Sequence, residues 1–155
     1  MRILVIGYGN PGRLDDGLGP AFAARVGALA IPDVTAEADY QLNVEEAAAV
    51  AQSEVVVFAD ASADAEEPFT LRPLEAEHGG LGFSSHSVSP AALLGLAQSL
   101  FGASPRAYVL AIRGYAYDAF GEGLSPRAQA NLDAALDYLA PLLRGGMSAR
   151  PLPPR

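Results

Sequence analysis

Residues 2–20 read RILVIGYGNPGRLDDGLGP, an apolar run that ends in a glycine-spaced turn with two adjacent aspartates. A continuous apolar run closed by glycine is typical of a strand buried on both faces, and we place that strand at Arg2–Gly7. Leu18–Ala30 has the pattern of a helix that tolerates Pro20 in its first turn. Strand, turn and helix in this order predict the start of a parallel α/β sheet.

The alternation of strands and helices continues along the chain. The further predicted strands are Val34–Asp39, Val55–Ala59, Phe69–Leu74 and Tyr108–Gly114, and the further predicted helices are Val44–Ala51, Ser89–Phe101 and Ser125–Leu143. Phe69–Leu74 alternates polar and apolar residues, so we expect an antiparallel edge strand there. The prediction is a three-layer αβα sandwich, in which helices cover a twisted, mostly parallel five-stranded sheet.

The length of 155 residues suits one domain, which we place at residues 1–144. The glycine- and proline-rich residues 145–155 are predicted to form a flexible tail. The net charge of -8 disfavours nucleic acid and anionic membranes as partners. The charge is explained either by solubility alone or by the binding of cationic ligands. The chain has no cysteine, which excludes thiolate chemistry and fits a reducing cytoplasm. We also expect the protein to be a monomer.

Polar residues that follow the predicted strands are the candidates for function, because ligands bind at the carboxyl ends of parallel strands. Asp16 follows the first strand, Asp60 follows VVVFA, and His86 lies in the glycine- and serine-rich loop His78–Ser87. Two carboxylates and one imidazole suit a divalent transition ion such as zinc or nickel. The three residues therefore form a candidate metal site.

Each of these residues also has a plain structural interpretation. An aspartate after a strand commonly forms a turn, and either Asp15 or Asp16 can cap the following helix. His86 alone is equally an ordinary loop residue. The combination, rather than any member, is what indicates a metal site.

Two other functions compete with the metal site as interpretations of these residues. Gly7, Gly9 and Gly12 match the spacing of a dinucleotide-binding turn, but Asp15 and Asp16 would lie beside the pyrophosphate and repel it. A serine hydrolase is disfavoured because the serines around His86 are not part of a G-x-S-x-G turn.

Three stretches resemble the hydrogenase maturation endopeptidases, which process the large subunit of nickel-iron hydrogenases. Gly7–Pro20 resembles the family's N-terminal motif, Val55–Ala61 resembles its central strand, and Ser84–Ala97 resembles its histidine loop and following helix. The resemblance continues through Ala107–Tyr115 and the last helix, so it covers nearly the whole chain.

The resemblance implies a cytoplasmic endopeptidase that removes a C-terminal extension from the large-subunit precursor after nickel insertion. The family's two acidic metal-contacting residues match Asp16 and Asp60, and its histidine matches His86. The nickel would be carried by the substrate, and another divalent ion such as zinc or cadmium could occupy the site in vitro. Nickel would act as a recognition element or as a Lewis acid.

One stretch departs from the resemblance. Many members of the family carry Asp-Gly-Gly-Thr after the second strand, whereas this chain has Asp39-Tyr40-Gln41-Leu42. We expect Asp39 and Gln41 to contact the substrate, so the departure leaves open which hydrogenase is served. A non-catalytic nickel- or precursor-binding chaperone on the same fold is the alternative function.

Overall fold

The computed structural model describes residues 2–78 and 88–148. The strands are β1 (Ile3–Tyr8), β2 (Val34–Asp39), β3 (Val55–Ser62), β4 (Phe69–Pro73) and β5 (Arg106–Arg113). The α-helices are α1 (Leu18–Ala28), α2 (Ala47–Ala51), α3 (Pro90–Phe101) and α4 (Pro126–Arg144), and short 3₁₀ helices cover Leu14–Gly17 and Val44–Glu46. These elements confirm the predicted mixed α/β fold.

The five strands form one sheet in the order β2-β1-β3-β5-β4. The first four in this order pair in parallel, and β4 pairs antiparallel with β5 at the edge of the sheet, as predicted. The chain moves from β1 to β2 on one side and then crosses to β3 on the other side of β1. The carboxyl ends of β1 and β3 therefore flank a topological switch point, where α/β sheets of this kind bind ligands.

Helices cover both faces of the sheet. Successive side chains of a strand point to opposite faces, so a strand that is apolar throughout presents an apolar surface on each face. In β3, Val55 and Val57 belong to the core beneath α1 and α4, whereas Val56 and Phe58 belong to the core beneath α2 and α3. This alternation explains why VVVFA is apolar throughout: each of its residues is buried in one of two cores.

Helices α3 and α4 begin as the sequence predicts. The Ser89 hydroxyl accepts a hydrogen bond from the N–H of Ala92 at 3.1 Å, and Ser125 caps α4 in the same way. In each helix a proline follows the cap, where its missing N–H costs no helical hydrogen bond.

Helix α1 packs unusually close to the centre of the sheet through glycine. A Cβ added at Gly19 would lie 2.4 Å from the carbonyl oxygen of Tyr8 and 2.5 Å from that of Ala59. A Cβ added at Gly7 would lie 1.9 Å from the carbonyl oxygen of Gly19. The glycines of the opening stretch thus bring α1 against the strands, and this contact fixes the turn that carries the two aspartates.

The start of the segment predicted to be a flexible tail packs against the domain. Met147 is fully buried, and its carbonyl oxygen accepts a hydrogen bond of 2.7 Å from the guanidinium of Arg106. The chain is therefore held as far as Met147, because its apolar side chain fills the core beneath α4. Residues 149–155 lie outside the described part of the chain. Among the described helices, none has the length and apolar character needed to span a membrane.

Candidate active site

The 3₁₀ helix Leu14–Gly17 brings two carboxylates with different environments to the switch point. Asp15 is fully buried, whereas Asp16 is half-buried at the carboxyl edge of the sheet. Gly17, not an aspartate, precedes α1, and no side chain caps that helix. The interpretation of Asp15 or Asp16 as a helix cap is therefore wrong.

Asp15 fastens the turn to the loop between β5 and α4. Its oxygens accept hydrogen bonds from the N–H groups of Tyr115, Ala116 and Ser125 and from the Ser125 hydroxyl, all between 2.7 and 2.9 Å. Burial alone would raise the pKa of Asp15, but these hydrogen bonds to the charged form outweigh it and lower the pKa. Both carboxylate oxygens of Asp15 are engaged in these structural hydrogen bonds, three on Oδ2 and one on Oδ1.

Asp16 is anchored by the same turn but directs its carboxylate to the site. Its Oδ2 accepts a hydrogen bond of 2.7 Å from the N–H of Asn10. Gly9 has a φ of +142°, and a Cβ there would lie 2.1 Å from the carbonyl oxygen of Asp16. The glycine-spaced turn is therefore shaped around Asp16 itself.

Asp60 lies within β3 rather than after it, so it neither forms a turn nor caps a helix. Burial raises the pKa of Asp60 to about 6, and the nearby negative charge of Asp16 adds to the rise. The charges of Asp16 and Asp60 therefore act on each other across the switch point. The structure brings these two predicted site residues together.

Tyr8 is a site residue that the sequence analysis missed. It is the last residue of β1, and burial together with the nearby negative charge of Asp60 raises the pKa of its hydroxyl. The signal was available, since the register pairs Gly7 with Ala59 and places Tyr8 beside Asp60 on the same face of the sheet. Because Tyr8 follows a run of apolar residues, the sequence pattern indicates a core residue there and not a polar one.

The turn uses its amide groups internally, which bears on the dinucleotide alternative. The N–H of Asn10 binds the Asp16 carboxylate, and the N–H of Gly12 binds the Asn10 side-chain oxygen at 2.9 Å. In a phosphate-binding turn such N–H groups would face the ligand. The occupied amides and the adjacent carboxylates disfavour a pyrophosphate at this place.

Asp39 and Gln41, the predicted substrate contacts, lie at the exposed end of β2. The Asp39 carboxylate accepts hydrogen bonds from the N–H of Tyr40 at 2.8 Å and from the Asn43 side chain at 3.3 Å. Asp39 therefore has a turn-forming role of its own. A cleft of about 180 Å³ adjoins it, lined by Gly9, Pro11, Pro20, Ala38, Asp39 and Tyr40.

His86, the third predicted ligand, lies outside the described residues, as does the segment 79–87 of the predicted histidine loop. Within residues 2–78 and 88–148, no cluster of three His, Cys, Asp or Glu side chains could by itself hold a metal ion. The described part of the site thus supplies two carboxylates.

Known structures share this architecture. The [NiFe] hydrogenase maturation protease HycI from Thermococcus kodakarensis KOD1 superposes with a TM-score of 0.70 at 21% identity over 92% of both chains. The chain has the fold of the hydrogenase maturation proteases. Hydrogenase maturating endopeptidase HybD from E. coli gives a TM-score of 0.66 at 23% identity over 94% of both chains.

A third similar structure is the hydrogenase 2 maturation peptidase from Thaumarchaeota archaeon SCGC_AB-539-E09. It superposes with a TM-score of 0.67 at 25% identity over 93% of this chain and 99% of that one. This chain covers between 92% and 99% of each of these three structures. No protein-family model and no curated protein matches the sequence.

Proposed function

We propose that this protein is an endopeptidase that removes the C-terminal extension of a nickel-iron hydrogenase large-subunit precursor. The observation that supports the proposal is that Asp16 and Asp60 lie close together at the switch point of the sheet. The fold is the one found in the hydrogenase maturation proteases. Carboxylates whose charges act on each other, one of them largely buried, are unfavourable without a cationic ligand.

The proposed ligand is a nickel ion held by the substrate. Asp16 and Asp60 would each offer a carboxylate oxygen, and His86 would offer a neutral imidazole nitrogen, a donor set that suits a divalent transition metal. The ion would mark a precursor that is ready for processing and, when bound, would polarise the scissile carbonyl as a Lewis acid.

A carboxylate of the site can also transfer the proton in this hydrolysis. Water adds to the scissile carbonyl carbon, the C–N bond breaks, and the water's proton passes to the departing amine. Asp60 could accept and return that proton through the carboxylate oxygen that does not contact the metal. We assign this role to Asp60 in addition to its contact with the metal.

The test is the intact mass of the large-subunit precursor from the same source after incubation with this protein. Nickel-loaded and nickel-free precursor are compared for the wild type, Asp16→Asn, Asp60→Asn and His86→Ala. Asp133→Asn is the matched control, because Asp133 is an exposed carboxylate on α4 that pairs with Arg25. We expect a C-terminal peptide to be lost only from nickel-loaded precursor, and only with the wild type and the control.

Other outcomes separate the alternatives. A stable, nickel-dependent complex of unchanged mass would overturn the peptidase and indicate a precursor-binding chaperone. Cleavage of nickel-free precursor at the same rate would refute nickel recognition while leaving a peptidase. Cleavage by Asp16→Asn at the wild-type rate would remove Asp16 from the site. The same samples, analysed by sedimentation, test the predicted monomer.

A further inference from the structure

Phe120 is the most exposed large apolar residue within residues 2–78 and 88–148. It is 88% exposed and lies in the loop that leads from β5 to α4. Single exposed apolar residues are common on protein surfaces, so exposure alone does not indicate a binding site. The fixed position of this ring and the surface beside it are the features that set Phe120 apart.

The loop that carries Phe120 is bonded to the glycine-spaced turn of the candidate active site. The N–H of Gly121 donates a hydrogen bond of 2.8 Å to the carbonyl oxygen of Gly12, and the N–H of Leu14 donates one of 3.0 Å to that of Gly121. The Cζ of Arg13 lies 5.8 Å from the centroid of the Phe120 ring. The ring is therefore held in place before any partner binds, which lowers the entropy cost of binding there.

An apolar groove of about 410 Å³ lies beside this loop, between α1 and the start of α4. A Cβ added at Gly121 would lie 3.3 Å from Cδ2 of Leu14, a groove residue, so the Phe120 loop borders the groove. The apolar side chains that line the groove are those of Pro11, Leu14, Ala21, Ala24, Leu124 and Leu132. The groove thus extends the apolar surface that begins at Phe120.

The groove is continuous with the surface around the candidate active site. Pro11 lines both the groove and the cleft beside Tyr40. The 3₁₀ helix Leu14–Gly17, which carries Asp16, contributes its first and last residues to the groove. A polypeptide cleaved at Asp16 and Asp60 must cover the surface around this turn, and the groove with Phe120 is the apolar part of that surface.

Arg13 adds a positive charge to this surface of an acidic chain. In the described part of the chain the Arg13 guanidinium forms no ion pair, and the exposed Asp118 and Glu122 of the Phe120 loop lie beyond ion-pair distance of it. One face of the guanidinium lies on the Phe120 ring, which leaves its N–H groups free to bind a carboxylate. The surface therefore fits an apolar segment with a carboxylate next to it.

We propose that Arg13, Phe120 and the groove form a docking surface for the large-subunit precursor, separate from the carboxylates of the site. The surface binds an apolar segment of the precursor that carries a neighbouring carboxylate, and it does so whether or not nickel is present. The identity of this partner rests on the proposed function. The docking surface itself predicts binding and not cleavage, so the two can be tested apart.

The experiment measures the Kd of nickel-free precursor for the full-length protein by calorimetry. Nickel-free precursor is used because its binding does not depend on a metal contact. We expect Phe120→Ala to raise Kd about tenfold and Arg13→Gln to raise it about threefold, as expected for an aromatic anchor and a partly solvated charge pair. Phe120→Ala should keep the wild-type melting temperature, because an exposed side chain adds little to the core.

The matched controls change the same residue types elsewhere on the surface. Phe101 is 55% exposed at the end of α3, which lies at the amino edge of the sheet, and Arg72 is exposed on the edge strand β4. Phe101→Ala and Arg72→Gln should leave Kd within about twofold of the wild-type value. An equal rise of Kd in Phe101→Ala would overturn a specific docking surface at Phe120.

The same variants are then compared in cleavage of nickel-loaded precursor, where Phe120→Ala should raise KM with kcat within about twofold of wild type. Wild-type affinity of Phe120→Ala would overturn the docking surface and leave the peptidase intact. Phe120-dependent binding without any cleavage by the wild type would overturn the peptidase and support the docking surface. No binding of nickel-free precursor by the wild type would overturn the docking surface, and so would sedimentation that showed Phe120-dependent self-association in place of precursor binding.

Discussion

Tyr8, the last residue of β1, lies beside Asp60 of the parallel strand β3 on the same face of the sheet, and burial together with the negative charge of Asp60 raises the pKa of Tyr8. Both residues lie beside the turn that carries Asp16. Burial and the negative charge of Asp16 act together on the Asp60 carboxylate, and the first prediction follows from this arrangement.

Asp60→Asn should stabilise the protein at high pH. The folded-state pKa of about 6 exceeds the ordinary value of 3.8, so the folded state binds a proton more tightly than the unfolded chain. Ionisation of Asp60 therefore lowers the free energy of unfolding as pH rises from about 4 to 6, by up to about 3 kcal/mol. Urea unfolding should show Asp60→Asn above wild type at pH 8 and level with it at pH 4.

Asp133→Asn is the control for that pH dependence. Hydrogen bonding to Arg25 lowers the pKa of Asp133, so its charge favours the folded state and its removal should give no stabilisation at pH 8. Equal behaviour of the two variants at both pH values would contradict a raised pKa at Asp60.

Asp15→Ala should destabilise the fold by about 3 kcal/mol. The substitution leaves four partly buried donors of the β5–α4 loop without an acceptor and releases the turn that carries Asp16. Because the folded-state pKa of Asp15 is lowered, its contribution is present above about pH 4 and is lost as pH falls through the lowered value. Chemical denaturation at pH 7 and below pH 3 measures both parts.

The outcome that would contradict this account is a loss from Asp15→Ala that is as large below pH 3 as at pH 7. The destabilisation would then come from packing and not from the hydrogen-bonded charge. The exposed Asp133→Ala should leave stability nearly unchanged, as expected for a surface ion pair.

Gly19→Ala and Gly27→Ala should have opposite effects within the same helix. The added methyl at Gly19 would collide with backbone oxygens of β1 and β3, at a cost of about 3 kcal/mol or more. At Gly27 the nearest atom is the Ala36 Cβ at 3.7 Å, an ordinary contact, so alanine should gain up to about 1 kcal/mol from helix propensity. Thermal unfolding distinguishes them, and equal melting temperatures would refute the close approach of α1.

Tyr40→Ala should weaken precursor binding with little effect on turnover. Tyr40 is 70% exposed, an unusual exposure for an aromatic ring, and it lines the cleft beside the Asp16 turn. Exposed aromatic residues at a binding surface commonly contribute more than about 1 kcal/mol, so KM should rise severalfold with kcat within about twofold. Steady-state cleavage measures the change.

Leu100→Ala is the matched control for Tyr40→Ala. Leu100 is also an exposed apolar residue, but it lies near the end of α3, away from the carboxyl edge of the sheet. An equal rise of KM in both variants would argue that surface apolarity in general, rather than the cleft, governs binding.

Most of the helices and strands could be predicted from the sequence because the patterns that indicate them are local. Apolar runs such as Val55–Ala59 and the Ser-Pro starts of α3 and α4 predict their elements with little help from distant residues. The antiparallel edge strand was also predictable from its alternation. The burial of Met147 could not be predicted from sequence, since only the folded structure shows that this side chain packs into the core beneath α4.

By itself the sequence determined that Asp16 and Asp60 lie at the carboxyl edge, because parallel strands carry their loops there. Only the tertiary structure decided that Asp15 is a buried structural anchor, Asp16 a half-buried carboxylate near Asp60, and Asp60 a carboxylate of raised pKa. Adjacent aspartates look alike in sequence, and what separates them is which side meets the N–H groups of a loop a hundred residues later. Hydrogen bonding and burial are set by those distant partners, and so are the chemical roles.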